Sequence, residues 1–262
     1  MDTVFIQKNG DFLYLTENDY AYEGTRGVIG VYDVANDYQR IDELGTFGIG
    51  PHEIALNGEQ LIVANGGIQT HPAMGRKKMN LDDMQPSLVH IDRLSGKLIH
   101  RSTLADKYRQ NSIRHMTLDG NGGVYLGLQT EAKSLHVCSV AYFNPETKAL
   151  EKIPLSSEHQ MMLNSYVGDI CLDKSGQYLA VSAPRGSGVL FIDIINGQAQ
   201  SVNLDDACGL AASIETDKQF IVSSGKGQIF LVDMEQEIKV TLLVDTDNLQ
   251  YWDNHIMQNG FS

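Results

Sequence analysis

Short apolar runs broken by turn residues recur along the whole chain, and no helical period intervenes between the copies. Five of these runs end in an acidic or amide residue: Gly30-Val31-Tyr32-Asp33, Leu88-Val89-His90-Ile91-Asp92, Ala141-Tyr142-Phe143-Asn144, Leu190-Phe191-Ile192-Asp193 and Phe230-Leu231-Val232-Asp233. Each is preceded by two further apolar runs joined by a turn rich in Gly, Asn or Asp. Ile54-Ala55-Leu56, Asn57-Gly58 and Leu61-Ile62-Val63 form one such hairpin pattern. Asn9-Gly10, Asp119-Gly120, Ser175-Gly176 and Thr216-Asp217 occupy the same place in the other copies. A polar run such as Gln198 to Leu204 follows as a fourth strand.

Four strands per unit, repeating at roughly 40 to 60 residues, predict the blades of an all-β propeller. The blades fall at about 2–48, 49–110, 111–165, 166–205 and 206–247, within one domain spanning 1–262. Residues 252–258 read as one extra inner strand. A ring must close, because an open one leaves sheet faces and edges uncovered. The N-terminus begins at an inner strand and has no spare outer strands to lend. Five blades and a stray strand are therefore expected to be a piece of a larger ring, with irregular closure as the alternative.

Composition narrows the function more than the fold. The formal net charge of −13 argues against nucleic acid, which needs a concentrated basic surface, and Arg76-Lys77-Lys78 is too short to supply one. No apolar run approaches the ~20 residues that span a bilayer. The three cysteines, Cys138, Cys171 and Cys208, lack CxxC spacing and read as buried apolar side chains. With Met1 leading straight into strand-like sequence and no signal peptide, a complete chain would be cytoplasmic.

In a propeller the openings of the inner strands and the exits of the second strands share one end. Those positions carry His52-Glu53, Arg114-His115, Gly168-Asp169, Cys208-Gly209 and Asn254-His255, with Glu17-Asn18, Asn65, Gln129, Arg185 and Lys226 at the exits. Candidate ligand-binding residues are therefore His52, Glu53, Asn65, Arg114, His115, Gln129, Asp169, Arg185 and His255. Any one such His is ordinarily a satisfied structural residue. The recurrence of His52, His115 and His255 in one register makes them candidate metal ligands. The same imidazoles could instead bind an anion alongside Arg114 and Arg185, so the cofactor is either a transition metal or none. One repeat also carries a long insertion between Asn65 and Pro86, and its Gly, His, Pro and Arg content reads as a shaped loop over the mouth. The insertion adds His71 and Arg76 to the candidates.

Several of these runs together resemble a bacterial family. Gly48-Ile49-Gly50-Pro51-His52-Glu53, Val63-Ala64-Asn65-Gly66-Gly67-Ile68, Thr70-His71-Pro72, Ser112-Ile113-Arg114-His115, Ala183-Pro184-Arg185-Gly186 and Leu15-Thr16-Glu17-Asn18-Asp19-Tyr20 are similar to domain-of-unknown-function family fifteen-thirteen. The resemblance covers essentially the whole chain. It implies a seven-bladed propeller, usually exported by a twin-arginine signal, often encoded beside imelysin-like periplasmic iron-uptake proteins. The family's upstream blades and export signal have no counterpart here, so a periplasmic location is inferred from the resemblance alone.

Three functional readings follow. The first is a non-catalytic periplasmic module that binds a small ligand or a protein partner at the central mouth, in association with iron uptake. The second is a lactonase-like hydrolase, because Gly50-Pro51-His52 and Ile113-Arg114-His115 resemble a segment of bacterial phosphogluconolactonases. In that reading Glu17 or Glu53 activates water while Arg114 and His115 steady the oxyanion. The third is a protein-interaction scaffold with no small ligand, which fold alone does not separate from the others.

Overall fold

Among the described residues, twenty strands build five four-stranded antiparallel sheets, each a meander in which sequence neighbours pair. The computed structural model describes residues 6–20, 25–75, 77–131, 136–246, 252, 255 and 256. The first sheet is β1 (Ile6–Asn9), β2 (Phe12–Asp19), β3 (Arg26–Asp33) and β4 (Gln39–Gly45). The second is β5 (Pro51–Asn57), β6 (Gln60–Asn65), β7 (Ser87–Asp92) and β8 (Leu98–Thr103). The third is β9 (Asn111–Leu118), β10 (Val124–Thr130), β11 (Val140–Asn144) and β12 (Ala149–Lys152). The fourth is β13 (Asp169–Leu172), β14 (Tyr178–Ala183), β15 (Gly188–Asp193) and β16 (Ala199–Asn203). The fifth is β17 (Ala207–Ala212), β18 (Gln219–Ser224), β19 (Gln228–Asp233) and β20 (Lys239–Asp245). A meander of four strands is the blade unit of propellers.

Local chemistry explains the repeat. The hairpins between first and second strands turn at Gly10, Gly58, Gly120 and Gly176, all with positive φ, where a Cβ would be strained. The recurrent acidic or amide residue ends the third strand by accepting backbone bonds from the turn. Asp193 Oδ1 accepts from the amides of Ile195 and Asn196 at 2.9 and 3.4 Å, and Asn144 Oδ1 accepts from those of Glu146 and Thr147 at 2.9 and 3.3 Å. Asp33 and Asp92 do the same, and hydrogen bonds from Asn36 and Ser95 respectively hold their carboxyls below the usual range. These are Asx turns.

Burial falls from the middle strands outward. β15 is buried along nearly its whole length, whereas every residue of β20 is exposed. Middle strands covered on both faces read as continuous apolar runs, which is why the period-two signal is weak in them.

The chain divides into two compact units. The first comprises Met1–Arg114, Gln129–Val137 and Asn144–Glu151, and the second His115–Leu128, Cys138–Phe143 and Lys152–Ser262. In the first, Tyr14, Ile29 and Val31 pack against Ile54, Leu61, Val63, Val89 and Ile91, joining the first two sheets. In the second, Phe191 and Phe220 meet at 5.3 Å between ring centroids and join the fourth and fifth sheets. Fully burying such a ring stabilises by roughly 1.5–3 kcal/mol. Asp173 reinforces that junction, accepting from the amides of Tyr178 at 2.8 Å and Lys218 at 3.0 Å.

Two expectations are revised. The repeat is not free of helix: α1 (Ser157–Leu163) lies between the third and fourth sheets, started by Ser156 accepting from the His159 amide and stopped by Asn164 in a left-handed conformation. Met161 and Met162 sit on α1, where Met161 is exposed and Met162 packs against the core. The extra inner strand at 252–258 falls largely outside the described residues, and Trp252, His255 and Ile256 are not in a strand. Cys138 and Cys208 are buried, and none of the three cysteines is in a disulfide. Burial pushes the Cys138 thiol up to about 12.

Candidate functional site

The second unit gathers His115, Asp169 and His255, three of the residues singled out in the sequence. One ligand atom from each lies within 4.8 Å of the others. His115 is buried in β9, and Asp169 opens β13. The imidazole rings of His115 and His255 lie 4.8 Å apart at 41°, and His255 Nδ1 is 3.9 Å from Asp169 Oδ2.

The surroundings fix the carboxylate. Asp169 Oδ1 accepts from the Ile170 amide at 2.8 Å, and Oδ2 accepts from the Leu210 amide of β17 at 2.9 Å. Each oxygen keeps a further lone pair for a cation or an imidazole N–H. Burial raises the Asp169 pKa, and the neighbouring His255 and the two amides oppose that rise. A buried carboxylate of this kind is stabilised as an anion by a positive partner.

Two glycines leave the room the cluster needs. A Cβ on Gly209 of β17 would stand 2.7 Å from the carbonyl carbon of His255 and 2.8 Å from the Ile256 nitrogen. A Cβ on Gly127 of β10 would come within 2.6 Å of Val167 and 3.4 Å of His115. Gly127 does not stand out in the sequence, and Gly209 does so only as part of a strand opening, because close approach of distant segments leaves no local pattern.

The first unit holds a different constellation. A cleft of about 590 Å³ is lined by His52, His71, Lys78, Arg114, Asn18 and Thr70 together with apolar and glycine residues. His52 Nδ1 faces the Arg114 carbonyl at 3.0 Å and donates to it. His71 Nδ1 accepts from the Ala73 amide at 3.1 Å, and Tyr20 packs edge-on against its ring at 5.6 Å. Lys78 pairs with Glu131. The inserted loop is held in shape by Asn80, whose Oδ1 accepts from the Gln69 amide at 2.6 Å and whose Nδ2 donates to the Gly67 carbonyl at 2.9 Å.

Neighbouring residues therefore part company. Arg114 belongs with the first unit's cleft and His115 with the second unit's cluster, as strand alternation directs adjacent side chains to opposite faces. His52 likewise belongs to the first unit, so the three-histidine set is divided between two constellations. Nor do these two residues open their strand: β9 begins at Asn111, whose side chain donates to the carbonyls of Tyr108 and His136.

Other candidates are held by their blades. The Glu17 carboxylate accepts from the Tyr32 hydroxyl and pairs with Arg40 at 3.0 Å. Asn65 is fully buried and donates to the Thr46 carbonyl at 3.1 Å. Arg185 lies over the Tyr166 ring at 3.9 Å, and Lys226 pairs with Asp205. Glu53 is half-buried in β5 opposite Ala64, and Gln129 is buried in β10. Arg76 lies outside the described residues.

With the geometry in view, the comparisons become informative. A family described as "Protein of unknown function (DUF1513)" has a profile matching residues 3–259. The chain belongs to this family. No curated protein matches the DUF1513 chain. Among solved structures it is similar to one titled "Streptogramin B lyase structure", at 11% identity and a TM-score of 0.63, covering 94% of this chain and 70% of that one. It is also similar to Kuenenia stuttgartiensis hydrazine synthase, at 17% identity and a TM-score of 0.58, covering 89% of this chain and 64% of the other. At these identities the likeness concerns the fold alone. The DUF1513 chain has, among its described residues, no helix long and apolar enough to cross a membrane.

Proposed function

We propose that this DUF1513 protein is a non-catalytic binding propeller whose His115–Asp169–His255 cluster holds a divalent transition metal. The observation that carries the reading is the convergence of two imidazoles and one buried carboxylate within 4.8 Å. Two imidazoles and a carboxylate suit Fe(II) and Zn(II), leaving coordination positions for water or a further ligand. The amides of Ile170 and Leu210 fix Asp169 before any ion arrives, as outer-shell partners do in metal sites. A periplasmic role associated with iron uptake, and a ring of seven blades, belong to the same proposal. Both rest on the family resemblance.

Equilibrium dialysis against Fe(II) under argon and against Zn(II) tests the site. The wild type is expected to bind about one ion per chain, with affinity falling at least about tenfold in His115→Ala and Asp169→Asn. Wild-type retention no greater than that of these variants would overturn the assignment. The hydrolase reading calls for Glu17 or Glu53 as a water activator beside Arg114. Glu17 already serves Tyr32 and Arg40 within the first sheet, and neither carboxylate is among the described residues that line the cleft with Arg114, so metal-binding is preferred.

A further inference from the structure

The cleft of the first unit has a character opposite to that of the molecule. The chain carries 33 acidic and 20 basic residues, for a formal charge of −13. Yet the described residues lining the cleft include Arg114, two imidazoles and Lys78 (paired with Glu131), and no Asp or Glu. Concave surfaces lined by one sign of charge focus field and concentrate the opposite ion. We infer that this cleft binds a small organic anion carrying more than one carboxylate or phosphate group.

Each part of the geometry supports that ligand class. At about 590 Å³ the cleft falls in the range of small-molecule sites and is far larger than a lone inorganic ion requires. Arg114 supplies a planar fork suited to a carboxylate or phosphate, and Lys78, positioned by its pair with Glu131, adds further ammonium N–H donors. The Ala73 amide occupies Nδ1 of His71, so the neutral ring carries its proton on Nε2 and offers a donor there. Asn18 and Thr70 add neutral donors, and Ile68 and Pro72 supply an apolar wall for a carbon skeleton. The loop bearing His71 and Lys78 is already braced by Asn80, and the Met79 amide donates to the Gln69 carbonyl at 2.9 Å. Little ordering is left to oppose binding. Ser112 Oγ, two residues before Arg114, adds a further brace by donating to the Gly66 carbonyl at 2.8 Å.

This site stands apart from the metal proposal, and its test keeps the two distinct. The full chain is stripped of metal on a chelating resin rather than with a soluble chelator, which would itself be a polycarboxylate. Calorimetric titrations at low salt then use citrate, succinate and inorganic phosphate, with glucose as a neutral control. Saturable binding of citrate is expected, weakened about tenfold or more in Arg114→Gln and in His71→Ala, the latter at a partly exposed loop position. His115→Ala should bind citrate as the wild type does. Citrate or succinate binding more tightly than phosphate marks a carboxylate ligand, and the reverse order marks a phosphorylated one. Absence of saturable anion binding, equal binding of glucose, or unchanged affinity in whichever variants retain wild-type circular dichroism would overturn the inference.

Discussion

His90 illustrates how one buried side chain ties this fold to pH. It sits in β7 opposite His100 of β8, with Nδ1 3.4 Å from the Gln60 side-chain oxygen. Burial, followed by the nearby charges of His100 and Lys148, lowers its pKa from 6.5 to about 4. A proton therefore binds the unfolded chain more readily than the folded one. The stability tied to the neutral ring is fully present above pH 6.5 and is lost as pH falls from there toward 4. Urea unfolding from pH 7 to pH 4 should show the wild type losing on the order of 2–3 kcal/mol more than His90→Leu. Parallel profiles for the two proteins would contradict this. A second residue, Gly209, acts through what it lacks. Gly209→Ala places a methyl group within 2.7 Å of the His255 backbone, so the segment bearing His255 must shift. Zinc affinity should drop about tenfold or more while the sheet signal in circular dichroism is retained.

Among the elements, the loop between β6 and β7 is the one with most at stake. Its form rests on Asn80 more than on its own two short 3₁₀ turns, Pro72–Met74 and Leu81–Asp83. Asn80→Ala removes both side-chain bonds at once. Limited proteolysis should then cut within 66–84 much faster than in the wild type, and citrate affinity should fall in parallel. Equal cleavage rates would mean that the loop is held by other contacts. The sheets themselves were legible because each strand and turn is encoded locally. The hairpin glycines sit at positive φ, and Asp193 and Asn144 close their turns through their own side chains. By contrast, α1 is a single seven-residue helix whose main sequence signals are a Ser cap and an Asn stop, too slight to stand out against twenty strands. The start of β9 was hidden for another reason: Asn111 and Ser112 look like loop residues but satisfy their polar groups inside the fold.

At the scale of the whole chain, the candidate constellations draw only partly on the polar strand openings that the sequence pattern singled out. Asp169 opens β13 and His52 stands second in β5, whereas His115 lies inside β9, His255 is in no strand, and His71 and Lys78 come from the loop between β6 and β7. What could not be read was their grouping. It depends on strand alternation at Arg114–His115, on the space left by Gly127 and Gly209, and on where the chain passes near His255. None of these leaves a periodic or compositional trace. The metal cluster is the claim on which the functional reading turns, and anomalous diffraction from crystals grown with Zn(II) tests it most directly. A single strong peak is predicted, about 2.0–2.2 Å from an imidazole nitrogen of His115, one of His255 and a carboxylate oxygen of Asp169. No peak at these three residues, in crystals whose zinc sits elsewhere or nowhere, would contradict it.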